Sequence, residues 1–120
     1  MKLAILTALA LAAAASSASA QQCFRPHDIQ GFTTANDDRT VYFRVGGSRV
    51  FELRTVNVCP ELANRNNIEL NAAGSASTIC TPIEAELRVR TAGISVMCPI
   101  ESLHRLNPAE LSALPKTLRP

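Results

Sequence analysis

The stretch TVYFRV-GGS-RVFELR, residues 40–54, decides the fold of this chain. Apolar and polar side chains alternate on both sides of the glycines, which is the period of a β-strand with one buried face. A loop of three residues, Gly46–Ser48, sets Phe43 opposite Phe51 and keeps one face apolar. A loop of two residues would set Tyr42 opposite Phe51 and place apolar and polar side chains on the same face. The sequence therefore predicts an antiparallel hairpin with a three-residue loop.

A second hairpin is predicted over residues 84–100, where apolar positions again alternate with charged ones. A turn around Ala92–Gly93 places Val96 opposite Val89 and points Cys98 inward. This hairpin contributes a second half-buried strand pair.

Shorter strands are expected at residues 28–33 and 68–70. Asn107 followed by Pro108 has the chemistry of a helix N-terminus, and Pro115 ends that helix after about two turns. The predicted fold class is mainly β, a small antiparallel sheet or curled barrel with a short C-terminal helix.

Residues 1–20 have the pattern of a signal peptide. A positive start, an apolar stretch over residues 3–15 and a run of small residues ending at Ala20 predict cleavage before Gln21. The expected mature chain, residues 21–120, is then one domain that is periplasmic or secreted.

Charge excludes some classes of partner. The chain has twelve Lys and Arg residues and ten Asp and Glu residues. Cleavage after Ala20 would remove Lys2 and leave eleven basic and ten acidic residues. Nucleic-acid binding needs a basic excess that this chain lacks. No apolar run of about 20 residues follows position 20, so no membrane span is expected in the mature chain.

Four cysteines in a short exported chain predict two disulfides. Intervals of 36, 21 and 18 residues contain no close pair of the kind that zinc sites use. Three pairings are possible. The favoured one joins Cys23 to Cys98, which secures the N-terminus, and Cys59 to Cys80, which closes a polar loop.

Catalytic groups are few, and neither a cofactor nor a metal site is predicted. The chain has two histidines, His27 and His104, and lacks a G-x-S-x-G motif. His104 is expected on the surface after the last strand. The acidic pair in Asp37–Thr40 is interpreted as a turn whose carboxylates accept backbone N–H groups, because calcium needs more oxygens than two carboxylates supply. The protein is not expected to be an enzyme.

Arginine is unusually frequent among the basic residues, with Lys116 the single lysine after the leader. The polar faces of the two hairpins carry Arg44, Arg54, Arg88 and Arg90. One interpretation is a surface for an anion or a partner. The favoured alternative is a solvated face on which glutamates of the same strands balance the charge.

From Cys23 to Leu114 the chain resembles a family of small exported bacterial proteins classified as a domain of unknown function. The residues that carry this resemblance are Cys23, Ile29-x-x-Phe32, Asp37-Asp38-Arg39-Thr40, Cys59-Pro60-x-Leu62, Cys80 and Cys98-Pro99-Ile100 leading into Leu106. Family members tend to have a Gly/aromatic/Asp cluster after the third cysteine, where this chain has residues 81–84. The resemblance implies an exported β-rich module with two disulfides and implies no activity.

These features favour a non-catalytic binding or structural module of the bacterial cell envelope. The sequence does not identify its partner, and another envelope protein is one candidate. Two alternatives remain open. One is a small secreted hydrolase or hydrolase inhibitor, for which His27 and His104 are the candidate groups. The other is a small-anion binder that uses the hairpin arginines.

Overall fold

The computed structural model describes residues 23–64 and 67–120, so the predicted signal peptide and its junction at Ala20 and Gln21 lie outside the described residues. The strands are β1 (Ile29–Thr34), β2 (Thr40–Val45), β3 (Arg49–Thr55), β4 (Ile68–Ala72), β5 (Ala85–Thr91), β6 (Ile94–Cys98) and β7 (Ile100–Arg105), followed by helix α1 (Pro108–Ala113). Short 3-10 turns lie at Pro26–Asp28, Pro82–Glu84 and Lys116–Leu118.

The strands form two antiparallel sheets, in the orders β1-β2-β3-β7 and β4-β5-β6. The mainly β fold with a short C-terminal helix is confirmed. The first hairpin has the predicted register, with Phe43 opposite Phe51. The second also matches, with Val96 opposite Val89. In both hairpins the alternation of apolar side chains fixed the register, because a slip of one residue would expose the buried set.

Strand β7 was not predicted, and the expectation that His104 follows the last strand was wrong. His104 lies within β7, opposite Glu52 of β3, and its neighbour Leu103 lies opposite Leu53. The sequence IESLHR alternates weakly. This segment becomes a strand because it pairs with β3, which lies far away along the chain. Local sequence patterns carry no information about such a distant partner.

Both sheets contribute to one hydrophobic core. Its buried members include Val41 and Leu53 from the first sheet and Leu87 and Val89 from the second. Phenylalanines fill its centre. The rings of Phe43 and Phe51 stack with centroids 5.3 Å apart, and Phe24 packs 5.0 Å from Phe43 and 4.9 Å from Phe51.

The predicted disulfide pairing was wrong, although two bridges are present. Cys23 is joined to Cys80 and Cys59 to Cys98. Phe24 and Ile79 exchange backbone hydrogen bonds of 2.9 and 2.8 Å as an antiparallel bridge. The residues flanking that bridge, Cys23 and Cys80, therefore face each other, with Cα atoms 4.1 Å apart.

The outer face of the first sheet is covered by the C-terminal segment, which corrects the expectation of a solvated face. Tyr42, Val50 and Leu106 are buried there, and Leu111, Leu114 and Leu118 pack against them. The guanidinium of Arg44 donates a hydrogen bond to the backbone oxygen of Pro120 under this cover. Local alternation identified the polar side of the hairpin but carried no information about the segment that packs on it.

Candidate functional site

Large apolar side chains are exposed in one region around β6. Among the residues that the structure describes, most of the exposed set lies on this strand or in the segment that follows β3: Ile94 (66%), Val96 (42%), Met97 (54%), Val56 (47%) and Val58 (61%). We call these five residues the β6 edge surface. Ile83, at 87% exposed, lies in the turn before β5 and is not included in this surface. Clustered apolar exposure of this kind marks interaction sites more often than scattered exposure does.

Strand β6 is an edge strand. It pairs with β5, and no other strand of the described chain pairs with its second side. Residues Ile94 to Met97 are exposed one after another, so both faces of the strand meet solvent. The core that buries Val89 on β5 does not extend under Val96, its cross-strand neighbour.

The turn that precedes β6 determines which backbone groups face outward. Ala92 and Gly93 have φ values of 50° and 80°, which are typical of a two-residue type I′ turn. In such a hairpin the pair that closes the turn, Thr91 and Ile94, is hydrogen-bonded, and bonded and non-bonded pairs then alternate. Ser95 therefore points its N–H and C=O away from β5, and so does Met97.

The Cys59–Cys98 disulfide brings the segment after β3 to the end of β6. The Cα atoms of the two cysteines are 5.9 Å apart. The backbone N–H of Val56 donates to the carbonyl oxygen of Pro99 over 2.9 Å. Val58 directly precedes Cys59. The bridge thus makes one surface from residues that are far apart in sequence.

Charges are absent from this edge and paired on the strand beside it. Residues 91–100 contain no charged side chain. On β5, Arg88 lies 3.7 Å from the carboxylate of Glu86, and Arg90 lies 3.2 Å from that of Glu69. The β6 edge surface is therefore both apolar and electrically neutral.

The structure does not bring the four candidate arginines together. Arg44 and Arg54 lie on the first sheet, whereas Arg88 and Arg90 lie on the second. Arg54 is 3.8 Å from Glu52. The charge balance expected between strand glutamates and arginines is present at three of the four positions, and Arg44 lies beneath the C-terminal segment.

His27 is exposed at the rim of a cavity of about 320 Å³ between the first 3-10 turn and the loop after β4. The lining residues are Pro26, His27, Asn71, Ala72, Ala76 and Ser77. His27 is the one titratable group among them, and the lining holds no carboxylate to orient it. The cavity can offer hydrogen bonds to a small polar molecule but has no base–orienter pair.

His104 has a structural partner. Its Nε2 lies 3.0 Å from each carboxylate oxygen of Glu110. Glu110 also accepts the backbone N–H of Asn107 over 3.0 Å, and its own N–H donates to Asn107 Oδ1 over 2.8 Å. This capping box confirms the predicted start of α1 and links the helix to β7.

Comparison with known families adds one finding. A model described as a family of unknown function, DUF6491, matches residues 1–120. The chain belongs to DUF6491. No curated protein and no solved structure matches the DUF6491 chain. Its candidate surface is therefore identified from geometry alone.

Two features are absent from the described residues of the DUF6491 chain. Within residues 23–64 and 67–120, no group of three His, Cys, Asp or Glu side chains is placed to hold a metal ion. The same residues contain no helix with the length and apolar character that a membrane crossing requires.

The acidic turn before β2 has the predicted structural role in the DUF6491 chain. Asp37 Oδ1 accepts the backbone N–H groups of Arg39 at 2.9 Å and Thr40 at 3.0 Å. Burial acts to raise the pKa of Asp37, but these bonds and the one from the Thr40 hydroxyl outweigh it and hold the pKa below 3.8. Asp38 Oδ1 accepts the N–H of Ala63, which ties the turn to the loop after β3.

A pH-dependent loss of stability is expected at the start of α1. The backbone hydrogen bond from Asn107, followed by the bond to His104, lowers the pKa of Glu110 below 4.5. A carboxylate whose pKa is depressed in the folded state stabilises that state above its unfolded pKa and loses this contribution as pH falls through the folded value. Glu110→Gln should therefore unfold at a lower temperature than the wild type at neutral pH, with a difference that shrinks below pH 4.5.

The measurement is thermal unfolding of both proteins across this pH range, with the exposed Glu61→Gln as the matched control. The control should follow the wild type at every pH. A deficit in Glu110→Gln that does not change with pH would contradict the role of the carboxylate charge.

The sequence reasoning missed the β6 edge surface. It paired Val96 with Val89 correctly but did not anticipate that Val96 is exposed. The uncharged run over residues 91–100, between Arg90 and Glu101, was a signal that could have found it.

Proposed function

We propose that this protein is an exported, non-catalytic module of the bacterial cell envelope that acts by pairing its β6 edge with another polypeptide chain. The observation that carries the proposal is the exposed, neutral edge strand with apolar side chains on both faces. Such an edge can accept an extended segment by strand addition, in which backbone hydrogen bonds give affinity and alternate side chains give specificity.

Export is proposed from the sequence of residues 1–20 and is consistent with the use of all four cysteines in disulfides. A reporter that is active only after export, fused after residue 22, tests this part. We expect the fusion protein to show reporter activity, and we expect this activity to be lost when charged residues interrupt the apolar stretch. N-terminal sequencing of the exported protein should begin at Gln21, and an uncleaved or cytoplasmic product would contradict the proposal.

Binding is tested with a charge placed on the edge. Val96→Lys introduces a charge on β6. Asn71→Lys introduces the same charge at an exposed position of β4, which is the opposite edge of the same sheet. We expect Val96→Lys neither to self-associate nor to bind the envelope proteins that can be cross-linked to the wild type. Asn71→Lys should self-associate and bind these proteins as the wild type does.

Hydrogen exchange gives the readout specific to strand addition. In the bound state, the N–H groups of Ser95 and Met97 should become protected, because they point away from β5. The N–H of Val96 points toward β5 and should be protected in both states. The proposal would be overturned if the wild type is monomeric and captures no partner whose binding is weakened by Val96→Lys.

A further inference from the structure

We propose that the chain which pairs with the β6 edge is a second copy of this protein, joined antiparallel about a two-fold axis at Val96. This inference rests on the proposed function, since it names the occupant of the same edge. The two three-stranded sheets then become one six-stranded sheet.

The outer strands of the two sheets differ in the features that protect their edges. Monomeric proteins protect sheet edges with charges, prolines or bulges. Strand β1 has an irregular register between Ile29 and Gly31. Strand β4 carries Glu69, and β7 carries Glu101. Strand β6, with the sequence ISVMC, has no charge, no proline and no register shift.

The backbone geometry of β6 suits pairing with a second copy of the same strand. Ser95 and Met97 offer outward N–H and C=O groups, as the hairpin ladder requires. An axis at Val96 pairs Ser95 of each copy with Met97 of the other and forms four backbone hydrogen bonds. The same axis sets the two Val96 side chains opposite each other, an apolar contact that one strand supplies to itself.

The charge distribution around β6 also favours pairing with a second copy. Residues 91–100 are uncharged, so the paired strands bring no like charges together. The charged residues of β5 that lie opposite Met97 and Ser95 are Arg88 and Arg90, and each already lies beside a glutamate. A neutral edge gives no electrostatic selection for a charged foreign segment and no repulsion against its own copy.

The remaining residues of the surface fit this arrangement. The axis sets Ile94 of one copy opposite Cys98 of the other. Cys98 is bridged to Cys59, directly after Val58. The exposed Ile94 of each copy is thus brought toward the exposed segment after β3 of the other. Pro99 lacks an N–H and ends the pairing at the close of β6.

The test removes the outward N–H of one residue of β6. Ser95→Pro deletes the donor that faces away from β5, a position that edge strands tolerate for proline. Ser95→Ala is the matched control, because it removes the hydroxyl and keeps the N–H. Sedimentation of residues 21–120 from low to high micromolar concentration should show a monomer–dimer equilibrium for the wild type and for Ser95→Ala. The dimer of Ser95→Pro should be weaker by roughly 30-fold, since two equivalent hydrogen bonds are lost.

Hydrogen exchange and folding measurements complete the test. Protection of the Ser95 and Met97 N–H groups should rise with protein concentration in the wild type, and circular dichroism should show that Ser95→Pro remains folded. If Ser95→Pro does not fold, Val96→Lys replaces it in the sedimentation series with the same expected loss of dimer.

Four results separate the two proposals. A concentration-dependent dimer that the N–H deletion weakens supports both. A wild-type monomer that still captures an envelope protein through the β6 edge overturns the self-pairing and leaves the proposed function standing. A monomer that captures nothing overturns both, and equal dimerisation of Ser95→Pro and Ser95→Ala overturns the self-pairing.

Discussion

Replacing Cys59 and Cys98 together with alanine should lower the free energy of unfolding by about 4 kcal/mol. The bridge closes a loop of 39 residues, and the chain-entropy model assigns about 4 kcal/mol to a loop of that length. A small domain has ~5–15 kcal/mol in total, so this one change removes a large share of it. The loss comes mainly from greater freedom of the unfolded chain.

The measurement is chemical denaturation followed by circular dichroism, with the paired variant Cys23→Ala/Cys80→Ala as comparison. That bridge spans 57 residues and should contribute a similar amount. Losses below about 1 kcal/mol for both variants would contradict the view that the bridges brace a small core.

The connectivity itself is tested by peptide mapping of the unreduced protein. Arg39, Arg65 and Arg90 separate the four cysteines onto different tryptic peptides. We expect one linked peptide pair that contains Cys23 with Cys80 and another that contains Cys59 with Cys98. Linkage of Cys23 to Cys98 would overturn the connectivity in the structure.

Phe43→Ala should destabilise the protein by about 4 kcal/mol, the range found when a buried phenylalanine is truncated. The side chain is fully buried, stacks on Phe51 at 5.3 Å and contacts Phe24 and Phe32 at centroid distances of 5.0 and 6.1 Å. Alanine leaves a cavity that these three rings cannot all move to fill, because they come from separate segments.

Phe43→Leu is the matched control, with an expected loss of about 1 kcal/mol, since it keeps most of the apolar volume. Urea unfolding of both variants at one temperature gives the comparison. Equal losses for alanine and leucine would show that the aromatic cluster is not the centre of the core.

The register of both hairpins could be predicted from the sequence because it depends on neighbours close along the chain. Phe43 and Phe51 are eight positions apart, and one loop length puts them on the same face. The start of α1 could be predicted for the same reason, since Asn107 and Glu110 lie within one turn and cap it together. In each case a few residues contain all the interacting groups.

The exposed edge could not be predicted in the same way. Alternation shows which face of β6 belongs with Val89, but burial of Val96 depends on whether the other sheet extends beneath it. The cover over Arg44 has the same origin, because the residues that contribute it lie more than sixty positions later in the chain.

The sequence by itself determined the strand alternation, the two hairpin registers, the capped helix and the number of disulfides, because these follow from spacing and side-chain chemistry within short segments. Only the tertiary structure decided the partner of each cysteine, the strand at Ile100–Arg105 and the exposure of β6. Each of these depends on contacts between residues distant in sequence, such as the pairing of β7 with β3 and the position of the other sheet relative to β6. Local propensity does not encode such contacts.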